Sequence, residues 1–414
     1  MSRIPPLPRA LSHARWRSSQ LGLRALVRPA RLLSTAGSGV GETAMVSKRV
    51  AGALAMAATL AGCGSTERPG PTARAPQRPA QAIVSIPVPT VQPRIVRPAP
   101  VPLIDALIRL QRNFVGKAGM AVRAVDEGWT AEAGGRQYLP QQSVSKLWVA
   151  LTVLDLRDQG RLRLDDPVTV TADDLTLFNQ PIAYLAVKPG GYQTTVGDLL
   201  ARALTKSDNT ANDKLLWLAG GPPAVRATIE AKRLGPIRFG PGERLLQAQT
   251  AGLTWQSTYS MGNSFEVARS RLPAEQRRAA LDAYIASPPD GAQPVAIADA
   301  LARLARGELL SETSTRVALT TMGQTITGRS RLRAALPAGW QIAHKTGTGQ
   351  DLAGRNAGFN DVGLLTAPDG RRYAIAVMIG DTTRPIRERQ QLIQSVAAAV
   401  ASYVGSTGGG GIAY

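Results

Sequence analysis

The chain is 414 residues long and 44% hydrophobic, enough for one large folded domain or two ordinary ones and too apolar for a protein disordered throughout. Its 49 Lys and Arg against 29 Asp and Glu give a net +20, but residues 1–100 hold 14 of those cations and only 2 of the anions, so +12 belongs to the first quarter and no nucleic-acid partner is expected. One cysteine excludes an internal disulfide, and with only two histidines beside it neither a zinc site nor a histidine base is expected, so hydrolytic chemistry here is expected to run without metal or cofactor.

From Met45 the chain reads as an export signal: Lys48 and Arg49, an apolar run from Val50 to Leu60, then Leu60-Ala61-Gly62-Cys63. No run of 18 apolar residues occurs, so a membrane span is not expected. The last four residues resemble a bacterial lipoprotein lipobox, which implies that residues 45–62 are removed and that Cys63 becomes a lipidated N-terminus. The alternative is an ordinary secretory signal with a coincidental cysteine. Residues 1–44 are arginine-rich and acid-poor and read as an upstream extension, with translation from Met45; a transit-type leader is the alternative. Gly64 and Ser65 follow Cys63 with no Asp, which in such lipoproteins implies an outer-membrane anchor and a periplasmic domain. Residues 66–102 contain 10 prolines in 37, a density that favours extended polyproline II. We read residues 63–102 as an anchor and spacer, with cell-wall contact through its arginines as the alternative.

The folded domain is expected from 103 to 404, with 405–414 as a flexible tail. Leu103, Leu107, Leu110 and Phe114 recur at helical spacing, and Met120 to Val125 and Trp129 to Ala133 read as strands. Leu147 to Leu154 is apolar on every side and must be a buried central helix. Amphipathic helices are expected at Val196 to Leu204, Asn209 to Leu218, Pro223 to Ala231 and Pro294 to Arg306. Strands return at Trp340 to His344, Asp361 to Thr366 and Tyr373 to Ile379, the last two joined by a turn at Pro368-Asp369-Gly370. A closing helix follows from Arg387 to Tyr403. Strands at both ends with helices between them imply an α+β fold: one antiparallel sheet from the two ends and a helical subdomain from the middle.

Ser143 and Lys146 are three apart just before the buried helix, nearly one helical turn, which puts hydroxyl and ammonium on one face. A lysine so placed is the base a serine needs where no histidine is available, provided burial and nearby charge lower its basicity. Ser207-Asp208-Asn209 lies 64 residues further on, and Lys345-Thr346-Gly347 a further 138. In this order S-x-x-K, S-D-N and K-T-G resemble class A β-lactamases and penicillin-binding proteins. The resemblance implies a β-lactamase/transpeptidase-like fold and a β-lactam or peptidoglycan-like substrate; a monomer is expected.

On that resemblance Ser143 is the acylated nucleophile and Ser207 relays a proton between Lys146 and the leaving nitrogen, since a hydroxyl both donates and accepts. Asn209 meets the substrate's acylamino carbonyl and Lys146, while Asp208 holds the turn through the backbone. Lys345 and Thr346 receive a substrate carboxylate, Gly347 lets the strand approach the substrate, and the N–H groups of Ser143 and Thr348 form the oxyanion hole. Glu243-Arg244-Leu245-Leu246-Gln247, 36 residues past Ser207, resembles the family's E-x-x-L-N loop. Glu243 would then activate the deacylating water and Gln247, in place of Asn, would help position it. Whether Lys146 or Glu243 acting through water is the acylation base stays open.

The resemblance spans roughly residues 103–404. Two departures stand out. The 46 residues between Gln247 and Pro294 exceed what the family usually has, and we expect this insertion, about 248–292, to form an extra helix pair around Phe265 to Ala286. The arginine that many relatives place after K-T-G has its nearest candidate in Arg355, inside a Gly-rich loop. His344 precedes Lys345 and should point to the reverse face of the strand. The competing functions are a penicillin-binding DD-peptidase that deacylates slowly and a non-enzymatic envelope lipoprotein.

Overall fold

The computed structural model describes residues 97–408, so the extension at 1–44, the export signal at 45–62, Cys63, the spacer up to residue 96 and residues 409–414 lie outside the described residues. The first helix, α1 (Val101–Asn113), takes Pro102 into its opening turn, where a missing N–H removes no helical bond. Strands β1 (Lys117–Ala124), β2 (Thr130–Ala133) and β3 (Leu139–Pro140) follow. A 3₁₀ turn at Gln142–Ser145 then leads into α2 (Lys146–Asp158).

A two-stranded ribbon of β4 (Pro167–Val170) and β5 (Tyr192–Thr195) brackets the short α3 (Ala183–Ala186). Six helices come next: α4 (Val196–Thr205), α5 (Asn209–Leu218), α6 (Gly221–Ala231), α7 (Glu243–Thr250), α8 (Ser264–Arg271) and α9 (Ala274–Ala286). After β6 (Gly291–Ala292) come α10 (Pro294–Ala305) and α11 (Glu312–Gly323). The chain ends with β7 (Gln341–Thr348), β8 (Asp351–Leu352), β9 (Arg355–Asn356), β10 (Phe359–Thr366), β11 (Arg372–Asp381) and α12 (Ile386–Gly408).

The main sheet has the order β2-β1-β11-β10-β7 and every pairing in it is antiparallel, so the N-terminal strands meet the C-terminal ones as expected. Both faces are covered. On one, Met120, Val122, Ile375 and Val377 pack with Leu107 of α1 and Ile393, Val396 and Val400 of α12. On the other, Ala121, Ala376 and Met378 join Val149, Val153 and Leu154 of α2 and Ile297 and Leu301 of α10. This is why β11 is buried from Tyr373 to Gly380 instead of alternating in and out. Helix α2 is buried continuously from Lys146 to Leu154, the fate of a helix with no polar side. It carries the nucleophile's lysine through the centre of the molecule.

The observed elements depart from the expected ones in several places, the short strands β3 to β6, β8 and β9 among them. Glu243 is not in a loop: it opens α7, preceded by Gly242 at φ +96, a left-handed position that suits glycine. Helix α12 runs past Tyr403 to Gly408, into residues expected as tail. Helix α11, capped by Ser311 Oγ accepting from the Ser314 N–H, went unread because its few apolar residues are spread among threonines and serines. The segment after Gln247 does contain a helix pair, α8 and α9, where one was expected. Among the described residues no helix is long and apolar enough to cross a membrane.

Because Leu154 is wholly buried in the core around α2, Leu154→Ala should lower the unfolding free energy by about 2–5 kcal/mol. Urea denaturation checks this, and a loss under about 1 kcal/mol would mean the helix is not packed as described.

Candidate active site

The three motif segments converge on one cleft. A cavity of about 580 Å³ is lined by Ser143, Ser207, Asn209, Gln247, Thr346 and Thr348 together with Phe178, Arg331 and Gln350. Ser143 reaches it from the 3₁₀ turn before α2, Ser207 and Asn209 from the start of α5, Gln247 from α7, and Thr346 and Thr348 from β7.

Lys146 sits at the centre with its side chain fully buried. Its Nζ donates to Ser143 Oγ at 2.8 Å, to Asn209 Oδ1 at 2.8 Å and to Glu243 Oε1 at 2.5 Å. An ammonium has three donors, and all three are used. Each acceptor comes from a different segment, so the lysine joins the nucleophile, α5 and α7. Burial alone would raise the Glu243 carboxyl, but the Lys146 charge and hydrogen bonds from Lys146 and Gln247 outweigh it and hold the group below the usual glutamate value.

Helix starts fix the positions of these groups. Asp208 caps α5, its carboxylate accepting the N–H of Ala211 and of Ile182, so it works through the backbone as the sequence suggested. Ser207 lies just before it at φ +57. Asn209 Nδ2 donates to Leu177 O, which leaves its Oδ1 to Lys146. On the same helix Asp213 accepts the N–H of Glu243 at 3.1 Å and of Arg244 at 3.4 Å, a side-chain cap supplied to α7 from a neighbouring helix. Sequence reading passed over Asp213 because the residue it caps is 30 positions away.

On β7, Lys345 Nζ donates to Ser207 Oγ at 2.9 Å and to Thr346 O. The Ser207 hydroxyl is thus held by Lys345; its expected partner, Lys146, is bonded to the Asn209 amide instead. Burial, and then the Lys146 charge, put Lys345 well below the usual lysine range. The role expected of Gly347 also changes. A Cβ there would lie 2.3 Å from the Gln141 carbonyl, so the glycine admits the backbone leading to Ser143 and not only a substrate.

Arg355 is not the arginine of the cleft. It is paired with Asp381 and Asp282 outside it. Arg331, in the loop before β7, takes that position: its Nη2 donates to Thr348 Oγ1 at 2.6 Å, its Nη1 to Gly347 O and Asn360 O, and its guanidinium lies 3.7 Å from the Phe359 ring centre. Burial brings it down to about 10. Thr327 Oγ1 meets Thr346 Oγ1 at 2.8 Å beside it. His344 faces away from the cleft, with Nδ1 at 2.8 Å from Asp361 Oδ1 and both groups buried.

Three glutamines that sequence reasoning largely missed complete the polar floor. Gln247, the one singled out, donates from Nε2 to Glu243 Oε2 and to Gln142 Oε1, both at 3.1 Å. Gln350, just past K-T-G, donates to Gln247 O and Oε1. Gln142 adopts φ +53 beside the nucleophile, and its backbone N–H is accepted by Asp290 Oδ2 at 2.7 Å. Among the described residues no cluster of His, Cys, Asp and Glu fit for a metal occurs.

Comparison with known proteins gives the family of the same region. The model of a family described as "Beta-lactamase enzyme family" matches residues 102–404. The extended-spectrum beta-lactamase PER-1 of Pseudomonas aeruginosa is 30% identical over 292 residues, 70% of this chain and 84% of that protein. A beta-lactamase of Mycobacterium tuberculosis is 30% identical over 285 residues, covering 68% and 78%. Among solved structures, a beta-lactamase from Chitinophaga pinensis superposes with a TM-score of 0.60 at 27% identity, covering 73% of this chain and 99% of that one.

Burial is the main reason that Asp213 and Asp290 are both pushed up to about 6. A carboxyl that holds its proton more tightly when folded stabilises the protein at low pH, and that contribution is lost as pH rises through about 6. Asp208, also raised by burial, acts in the same sense, while Glu243 acts oppositely but below its usual value of 4.5. Lys345, held well below its usual range, contributes in the opposite sense, so the carboxyl effect is read as a difference: between pH 4.5 and about 6 the wild type should lose stability relative to Asp290→Asn. Urea titrations of both proteins across that window check it; a difference that does not change with pH contradicts the assignment.

Proposed function

This chain belongs to the beta-lactamase enzyme family, and from that membership we propose that it is a class A serine β-lactamase that opens the lactam amide through an acyl-enzyme on Ser143. The single observation that carries the reading is the buried contact between Lys146, Ser143 Oγ and Glu243, in a cleft that no histidine lines among the described residues.

Ser143 Oγ attacks the lactam carbonyl, with the N–H groups of Ser143 and Thr348 receiving the oxyanion. As the C–N bond breaks, the nitrogen takes its proton from Ser207, whose hydroxyl bonds Lys345. A substrate carboxylate meets Thr346 and Thr348, with Arg331 and Lys345 supplying positive charge behind them. Lys146 donates all three of its protons in the resting site. It accepts the Ser143 proton only after passing one to Glu243 across their 2.5 Å contact. Glu243 is then the acceptor in acylation; that proton returns through Lys146 to Ser207, replacing the one given to the nitrogen, and Glu243, again a carboxylate, is with Gln247 the base that draws a proton from water to hydrolyse the ester. Its depressed pKa keeps it ionised and ready for both steps.

For location, we propose export by residues 45–62 and anchoring through lipid on Cys63, with residues 63–102 as spacer. The lipobox-like Leu60-Ala61-Gly62-Cys63 supports this, and one diacylglycerol with an added acyl chain is sufficient for stable attachment.

Purified protein should turn over a chromogenic cephalosporin rapidly. In Glu243→Gln the neutral amide no longer holds Lys146 charged, so the lysine can lose its proton and take that of Ser143 while ester hydrolysis lacks its base: kcat should fall by about 10²–10⁴-fold and a covalent adduct should accumulate on Ser143, read by intact-mass spectrometry. Unchanged turnover would remove Glu243 from the mechanism, and a wild type that stalls as the adduct would mark a penicillin-binding hydrolase instead.

A further inference from the structure

The segment inserted after Gln247 ends in a buried polar group aimed back at the active site. Tyr284 lies on α9, 5% exposed, in a small apolar cluster with Leu281 and Ile285 of its own helix and Leu246 of α7. Its hydroxyl donates to the Asp290 carboxylate, 3.0 Å from Oδ1 and 3.2 Å from Oδ2, and accepts from Gln142 Nε2 at 2.6 Å. Asp290 Oδ2 also accepts the Gln142 backbone N–H. The Tyr284–Asp290 pair thus grips Gln142 by backbone and side chain at once. Gln142 needs such a grip, since φ +53 is costly for a residue with a side chain. Ser143 is the next residue.

The hydrogen bonds beyond Gln142 run in one direction. With its Nε2 given to the Tyr284 oxygen and to Ala357 O, Gln142 can only present Oε1 to Gln247. Gln247 must then turn its Nε2 inward, where the second N–H reaches Glu243 Oε2. Gln350 fills the remaining Gln247 Oε1. Were the Gln142 amide reversed, its NH₂ would oppose that of Gln247 and the link to Glu243 would break. Burial keeps the phenol protonated, because it and the nearby Asp290 charge raise Tyr284 well above its usual value.

We infer that Tyr284 is a positioning residue for deacylation, fixing the amide direction of Gln142 and Gln247 and through them the Glu243 carboxylate and its water. The inserted helix pair is then part of the catalytic support. This rests on the assignment of Ser143 and Glu243 made above, and deepens it.

The test is steady-state kinetics with intact-mass spectrometry on a chromogenic cephalosporin. In Tyr284→Phe, acylation is spared and ester hydrolysis slows, so kcat and KM should fall together by about tenfold, the size of one lost buried hydrogen bond. The quotient kcat/KM should stay constant and adduct on Ser143 should build up during turnover. Gln142→Met breaks the chain at its middle link and should give the same split, which decides the matter if the tyrosine variant does not fold. Leu281→Ala loosens the same helix without touching the chain, and should lower Tm with no adduct. A Tyr284→Phe enzyme with wild-type kcat, or one that loses kcat/KM at constant KM without building up adduct, overturns the inference alone. Absence of turnover in the wild type overturns both it and the function it rests on.

Discussion

A buried ammonium that must find three acceptors organises this protein. Lys146 has no access to water, and an unpaired charge in that position would cost several kcal/mol or more. Its three partners, the Ser143 hydroxyl, the Asn209 amide and the Glu243 carboxylate, lie 3, 63 and 97 residues away. Satisfying one charge therefore brings the nucleophile, α5 and α7 to one point. The same contact makes the chemistry feasible, since it supplies a proton path from Ser143 to Glu243 without a histidine.

The surrounding fold holds the acceptors still. Asp208 and Asp213 cap the two helices whose first turns carry Asn209 and Glu243. The sheet brings Lys345 and Thr346 in on β7, close against the backbone before Ser143 because Gly347 has no side chain to obstruct it. Carboxyls held near 6 by burial are the energetic counterpart of this rigidity. Their ionisation at neutral pH works against folding, and the N–H groups they accept keep segments in place that would otherwise have unfilled donors.

The parts legible in the sequence were those encoded within a few adjacent residues. Ser143 with Lys146, Ser207 to Asn209 and Lys345 to Gly347 are short, ordered and chemically distinctive. The apolar block at Leu147 to Leu154 announces a central helix by having no polar side, and the terminal strands pair as their pattern suggested. What escaped was long-range. Arg331 lies in an irregular loop and gains its place only when β7 and β10 come together, whereas Arg355, nearer to K-T-G in sequence, finds carboxylates elsewhere. Tyr284 and Asp290 reach Gln142 across 142 and 148 residues, and nothing in their local sequence marks them. Ser207 was legible as a site residue but its partner was not: the choice between two lysines is made by the tertiary fold.

The claim on which the account stands is that Lys146, through its contacts with Ser143 and Glu243, carries the proton that acylation must move. The most direct measurement is the rate at which a fluorescent penicillin labels Ser143 in Lys146→Met, with folding verified by circular dichroism. Labelling slowed by about 10²–10⁴-fold relative to wild type is the expected result. Labelling at the wild-type rate would contradict it and transfer the chemistry to another base.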